Sequence, residues 1–426
     1  MSSVRNAPVA PRAGTGGPAQ DGAGRGVTLI LPGPISHDGT AYRIFKPYGQ
    51  LASALCAHFG RVTVCTHVLT REHPAFGGSD PLLDPRVQVE PLPSPPAGSP
   101  GVARSLAHHL RSSLAVVRRI RQWDVVYAFV PSYPGAVAYT ANRLFFHRPA
   151  AVYLANDWEE ITPYTFRWGG GVRGLLFGPY RVLLTRWERW MMRSTRLGLT
   201  AGRALLDKYG GEGRPIYETA PILEMKPSDM VRREDTCLQS PVRMLYVGTL
   251  NPRKGVPVLL DALRALVDEG RQVTLDVVGD GPDRAELQER VRAMGLGDRV
   301  AFHGFVAAGP ELFAFYRRAD LFVLPTYSEG FPRVLYEAMG HSLPVVASAV
   351  SGIPFLLQDG RHGLLVPPGD PAALAAAMRR VMDDGALRRG LIREGFALVG
   401  PIVARDPASQ FAELCRRHLG PAAEAA

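Results

Sequence analysis

Apolar positions along this chain fall in short unbroken runs separated by longer stretches of helical period. GVTLILPGP (26–34), RVTVCTHV (61–68), DVVYAFV (124–130) and AAVYLA (150–155) are apolar runs that close at turns. Such runs fit strands buried on both faces better than alternating edge strands. Between them YGQLASALCAHFG (48–60), a basic stretch from Val102 to Gln122 and a segment near 135–146 read as helices. After a break the same order resumes. VRMLYVGTL (242–250), VTLDVVGDGP (273–282), RVAFHGFV (299–306), ADLFVLP (319–325), LPVVASAV (343–350) and GLLVPPGD (363–370) read as strands. VPVLLDALRALVDEG (256–270), DRAELQERVRAMG (283–295) and PAALAAAMRRVMDDG (371–385) read as helices. Strand–helix alternation predicts parallel sheets wound on both faces. The pattern therefore predicts an α/β chain of two Rossmann-like, doubly wound domains facing across a cleft, 26–221 and 242–403, with a linker at 222–241. Ligands of such sheets lie beyond the carboxyl ends of the strands. Residues 1–25, rich in Gly, Ala and Pro without an apolar centre, are expected to be a disordered tail rather than a signal peptide.

Composition narrows the class. The 426 residues are 46% hydrophobic and 21% charged, which gives each domain enough apolar material for a core. Four scattered cysteines with no Cys-x-x-Cys argue against a disulfide frame or structural zinc and favour a reducing compartment. No apolar run approaches the roughly 20 residues of a membrane span. Charge is uneven: residues 1–220 hold 25 Lys and Arg against 14 Asp and Glu, the remainder 24 against 25. Either an acidic partner meets the first half, or the half is Arg-rich with none. Between Val172 and Thr200 six Arg stand against one Glu amid Trp, Leu and Met. That is the composition of a helix on an anionic membrane surface, and equally that of a domain helix with one side in the core. The expected location is cytoplasmic, peripheral on the inner face of the cell membrane.

The stretch YSEGFPRVLYEAMG (327–340) carries candidate chemistry. On one helix, Glu329 and Glu337 would lie roughly 12 Å apart along the axis and about 80° apart in direction, neither a pair nor a shared face. Gly330 and Pro332 place the helix start near Pro332, leaving Glu329 in the loop and Glu337 inside. A buried strand, a loop and a helix N-terminus form an anion site. Carboxylates beside a phosphate would repel it, so hydroxyls are their natural targets. Hydroxyls next to a phosphate describe a nucleotide sugar. In GTLNPRKG (248–255), Gly248 lets backbone approach a ligand, and Arg253 and Lys254 stand either at a diphosphate or in an ordinary basic turn. The spacing is not that of a P-loop. GDGPDRA (279–285) has Arg284 where a dinucleotide fingerprint needs its third glycine, which counts against an NAD-dependent oxidoreductase. His303 fits a packed histidine as well as a ligand, and backbone at Phe305 and Val306 could line a base pocket. The basic half alone argues for a nucleic-acid module, and none is expected.

VGTLNPRKG, VVGDGPDRAEL, VAFHGFV, the Glu329/Glu337 pair, LPVVASAVSGIP and HGLLVPPGD, in that order over most of 242–385, resemble the retaining GT-B glycosyltransferases of family four, the glycosyl transferases group 1. The resemblance implies that Arg253 and Lys254 bind the donor diphosphate and stabilise the leaving nucleotide. It implies that Glu329 holds hydroxyls of the donor sugar and Glu337 those of the ribose. N–H groups at Gly330, Phe331, Arg333 and Val334 would cap the phosphate or sugar around Pro332, which has none. It implies transfer of a hexose-type sugar with retention, by front-face attack, in cell-surface polysaccharide or glycolipid synthesis. The acceptor, lipid-linked or anionic, would meet the N-terminal domain. A nucleotide-sugar epimerase of the same fold, or transfer to a small-molecule natural product, is the alternative. No Asp-x-Asp stands in the chain, so neither metal nor cofactor is expected. The first half departs from the family: GPISHDGTAYR (33–43) has Gly39 where two glycines together are common, and YLANDWEE puts Asp157 at an acceptor contact or at a helix N-cap. By the same resemblance, residues 404–426, helical in QFAELCRRHL, cross back to the first domain.

Overall fold

The computed structural model describes residues 24–69, 80–82, 84–96, 102–158, 172–329 and 332–420. Most of the tail read at 1–25 lies outside the described residues, as do Gly330 and Phe331. The N-terminal sheet contains β1 (Gly26–Ile30), β2 (Ile35–His37), β3 (Tyr42–Ile44), β4 (Arg61–Leu69), β5 (Asp80–Pro81), β6 (Val87–Leu92), β7 (Val125–Val130), β8 (Ala150–Leu154), β9 (Gly198–Thr200) and β10 (Ile216–Glu218). Its parallel strands run in the order β6-β4-β1-β7-β8-β9-β10. From β4 the short β2 turns back through antiparallel β3 to β5. β1, β7 and β8 are buried at every position, which is why their sequences are continuous apolar runs. Helix α1 (Lys46–Leu55) covers one face through Leu51 and Leu55. Helices α2 (Val102–Arg119), α3 (Tyr133–Ala141), α4 (Val172–Ser194) and α5 (Arg203–Tyr209) cover the other through Val116, Tyr139, Met191 and Tyr209.

The C-terminal sheet is wholly parallel. It comprises β11 (Val242–Val247), β12 (Val273–Val278), β13 (Val300–Gly304), β14 (Leu321–Leu324), β15 (Val345–Ser348) and β16 (Leu364–Val366), in the order β13-β12-β11-β14-β15-β16. Around it lie α6 (Val256–Asp268), α7 (Arg284–Ala293), α8 (Pro310–Arg318), α9 (Arg333–Gly340), α10 (Ile353–Leu356), α11 (Pro371–Asp383) and α12 (Gly385–Val403). The strand order reverses between β11 and β14, so the loops leaving these neighbours splay apart and open a crevice.

Two segments tie the domains together. Residues 222–241 run along the C-terminal domain: Met225 is buried in its core, Arg233 Nη1 donates to Ala319 O at 2.8 Å, and Arg388 Nε donates to Asp235 at 2.6 Å. Helix α13 (Pro407–His418) leaves that domain and packs on the N-terminal core, where Phe411 stacks on Tyr127 with ring centroids 3.9 Å apart. Burying such a ring stabilises by about 1.5–3 kcal/mol. Gln410 accepts from Ala220 N at 2.6 Å and donates to Glu218 O at 2.9 Å, so the two crossings run side by side. Among the described residues no helix is long and apolar enough to cross a membrane.

Candidate active site

The basic turn after β11 is held against the loop after β14 by one glycine. Pro252–Lys254 form a single 3-10 turn, and Gly255 enters α6 at φ 65°. A Cβ there would lie 2.0 Å from the Pro325 carbonyl oxygen, so only glycine permits this approach. Tyr327 N then donates to Arg253 O at 2.8 Å, and Thr326 Oγ1 donates to the same oxygen at 3.1 Å. With the loops joined, Lys254 Nζ pairs with Glu329 Oε2, the two side chains 12% and 15% exposed. Residues 75 positions apart thus meet at the mouth of the crevice. An ammonium has three donors, so Lys254 can serve Glu329 and still face phosphate oxygens.

Helix α9 follows the loop. Pro332 is buried and caps it, and Leu335 N donates to Pro332 O at 3.0 Å. Arg333, half-buried in the first turn, places its guanidinium 4.8 Å from the ring centroid of Phe45 in the N-terminal domain. Val334 packs on the C-terminal core. Glu337 is buried, and Tyr316 Oη donates to its Oε2 at 2.7 Å. Burial pushes this carboxyl above the usual range, while the phenol and the charge of Arg333 pull the other way. His341 stacks on Tyr316, and its Nδ1 donates to Glu337 O at 2.7 Å, so the carboxylate-bearing turn is braced from behind.

The glycines after β11 and β12 serve loop packing. Gly248 N donates to Val278 O at 3.0 Å; a Cβ on Gly279, at φ 137°, would fall 1.9 Å from Gly248 O, and one on Gly281 2.2 Å from Leu250 O. The fingerprint-like GDG is therefore explained by two touching loops. His303 Nε2 lies 2.6 Å from Asp276 Oδ1 and its ring stands edge-on to Phe315, although the residue itself is exposed. Phe305 beyond it is exposed at the rim, and Val306 packs inward.

On the opposite wall, a pocket at the end of β1 is lined by Leu31, Gly33, Pro34, Ile44, Phe45 and Tyr48. Lys46 reaches across to donate to Ala308 O at 2.7 Å and stands 3.7 Å from Glu224. Gly39, at φ 103°, is at the tip of the β2–β3 turn. Its neighbour Asp38 accepts from Thr40 N and Ala41 N at 2.9 Å each, and the Thr40 hydroxyl foremost holds that carboxyl well below the usual range. Asp157 follows β8, is buried, and pairs with Lys208. Beside it Glu188 of α4 accepts from Trp158 N at 2.9 Å and from the Tyr209 hydroxyl. Burial foremost, then the Asp157 charge, pushes Glu188 up to about 7. Tyr316, Phe45 and Lys46 were not singled out by the sequence, because each sits in an ordinary apolar or turn context.

Comparisons with known proteins agree with this arrangement. Residues 241–384 match the family described as glycosyl transferases group 1. An alpha-D-kanosaminyltransferase from Streptomyces kanamyceticus is 36% identical over 147 residues, 34% of this chain and 37% of that protein, so the match spans well under two thirds of the relative. A sucrose-phosphate synthase from Thermosynechococcus elongatus has the same fold, with a TM-score of 0.68 at 21% identity over 92% of this chain and 98% of that one. HepE from Anabaena, solved in complex with UDP-glucose, gives a TM-score of 0.63 at 20% identity over 91% of this chain and 99% of that one. Residues 241–384 thus match the glycosyl transferases group 1, and the chain as a whole has the GT-B fold of the solved glycosyltransferases that it resembles.

Proposed function

We propose that the chain is a retaining, metal-independent glycosyltransferase that moves a hexose-type sugar from a nucleoside-diphosphate sugar to an acceptor hydroxyl. The Lys254–Glu329 pair at the reversal of strand order carries this reading, because it sets a cation for the diphosphate beside a carboxylate for sugar hydroxyls. Departure of the nucleoside diphosphate builds negative charge on phosphate oxygens while the sugar becomes cationic. Lys254 and Arg253 stabilise the first change and supply the positive charge that a divalent ion would otherwise bring. Glu329 fixes the ring by accepting from its hydroxyls. Glu337, oriented by Tyr316, accepts from the ribose, and the exposed Phe305 borders the base. In the transfer the bond from the anomeric carbon to phosphate oxygen breaks, the bond to acceptor oxygen forms on the same face, and the acceptor proton passes to the departing phosphate.

Uridine sugars are the first donors to test, because the HepE fold neighbour is in complex with UDP-glucose. The acceptor in this reading belongs to a cell-surface polysaccharide or glycolipid. A 2-deoxystreptamine glucosyltransferase among the relatives favours a second reading, a small-molecule acceptor. Nucleotide release would be followed with UDP-, GDP- and ADP-sugars in the presence of EDTA, and the product anomer read by NMR. Retained configuration, unaffected by chelator, is expected. Lys254→Ala should lower turnover by about 10²–10³-fold, the usual loss of one transition-state donor, and Glu329→Ala should lower it as well by freeing the sugar hydroxyls. Near-wild-type transfer by either folded variant would refute the assignment, and an epimerised nucleotide sugar without acceptor would replace it with the epimerase.

A further inference from the structure

Helices α2, α3 and α4 lie in one layer on the N-terminal sheet, and their outward side has an unusual composition. Segments 102–122, 133–148 and 172–196 contain thirteen arginines and a single acid, Glu188, which is buried. On α2 the inward side is Ser112, Val116 and Ile120 of the following turn. The outward side carries Leu106, Leu110 and Leu114, exposed by 64%, 62% and 45%, at the four-residue spacing that makes one stripe. Arg104, Arg111 and Arg118 stand exposed at seven-residue spacing directly beside that stripe. The turn after α3 exposes Leu144 and Phe145 next to Arg143. On α4, Val182, Leu183 and Trp190 are exposed with Arg186 and Arg193. At the far end of the layer Arg143, Arg148 and Arg196 line one hollow.

We propose that this α2–α4 layer is a docking face for an anionic lipid bilayer. Apolar side chains alternating with arginine on one surface match the headgroup–acyl boundary, where the first enter the acyl region and the second meet phosphates. A second copy of the chain does not fit: a two-fold contact would set arginine against arginine with no exposed carboxylate on these segments to pair with it. Nucleic acid would satisfy the arginines and leave the leucines and Phe145 in water. The face is independent of the donor site, so it stands apart from the proposed transfer.

The test is co-flotation of the full chain with phosphatidylcholine vesicles, with and without phosphatidylglycerol. Binding is expected to the anionic vesicles and not to the neutral ones. Arg111→Gln/Arg118→Gln should lower partitioning about thirtyfold, at roughly fivefold per charge. Leu106→Ser/Leu110→Ser should leave a remainder that moderate salt removes completely. All four residues are exposed, so circular dichroism melting curves should match wild type. Equal partitioning to both vesicle types, wild-type binding by the arginine variant, a dimer in light scattering that ignores vesicles, or DNA binding without lipid preference would each overturn the proposal.

Discussion

Replacing Glu188 by Gln turns a buried charge into a pH-dependent stability difference that can be measured. The carboxyl is fully buried, accepts from Trp158 N and the Tyr209 hydroxyl, and is pushed up from 4.5 to about 7. A folded value above the unfolded one means that the folded state binds more protons between the two. The group's contribution is therefore fully present below about 4.5 and is lost as pH rises through about 7. Integrated from pH 5 to pH 8, the loss is about 2–3 kcal/mol. Gln resembles the protonated acid and escapes this loss. The variant should gain about 2–3 kcal/mol on wild type between those two pH values, or roughly 5–10 °C in melting temperature for a domain of this size. Thermal melts of both proteins at the two pH values give the comparison. A gap between them that does not change with pH would show that Glu188 is solvated or remains ionised throughout, and the burial argument would fail.

Tyr316→Phe removes the donor to Glu337 without changing packing. A hydrogen bond to a charged group contributes about 1.5–3 kcal/mol, so donor KM should rise roughly tenfold or more while kcat stays within about twofold. Equal loss in both constants would mean that the phenol acts elsewhere. Gly255→Ala sets a Cβ 2.0 Å from the Pro325 carbonyl at a positive φ. It should cost more than about 2 kcal/mol in urea denaturation and should reduce transfer with it, because the two loops separate. A folded, active Gly255→Ala protein would contradict the proposed seam.

The C-terminal half was largely legible because its strands are mostly apolar, β14 and β16 without a break, and each helix opens or closes at Gly or Pro. Even so, α8 passed unnoticed although Gly309 and Pro310 mark its start, and Phe313 and Tyr316 give it a buried side. The candidate pair was visible residue by residue, yet the contact between Lys254 and Glu329 depends on Gly255 lying against Pro325, a tertiary fact with no local signature. Glu188 was hidden by its neighbours: one acid among six arginines reads as a surface charge, and only the position of Asp157 and Tyr209 shows it facing inward. The leucines of α2 face the other way from what their spacing suggests. Three leucines at helical spacing indicate a core side, but Val116 and Ile120 had already supplied one on the other side.

The double passage of the chain between domains governs how the crevice can move. A single connecting strand would let one domain swivel freely beneath the other. Here the strand near Ala220 and the entry to α13 cross together, clasped by Gln410. Two adjacent tethers resist twisting and sliding, and they leave one easy motion, rotation about the line on which they lie. Opening like a book about a narrow spine is thus the motion that the paired tethers oppose least, and it would part and rejoin the Phe45–Arg333 contact.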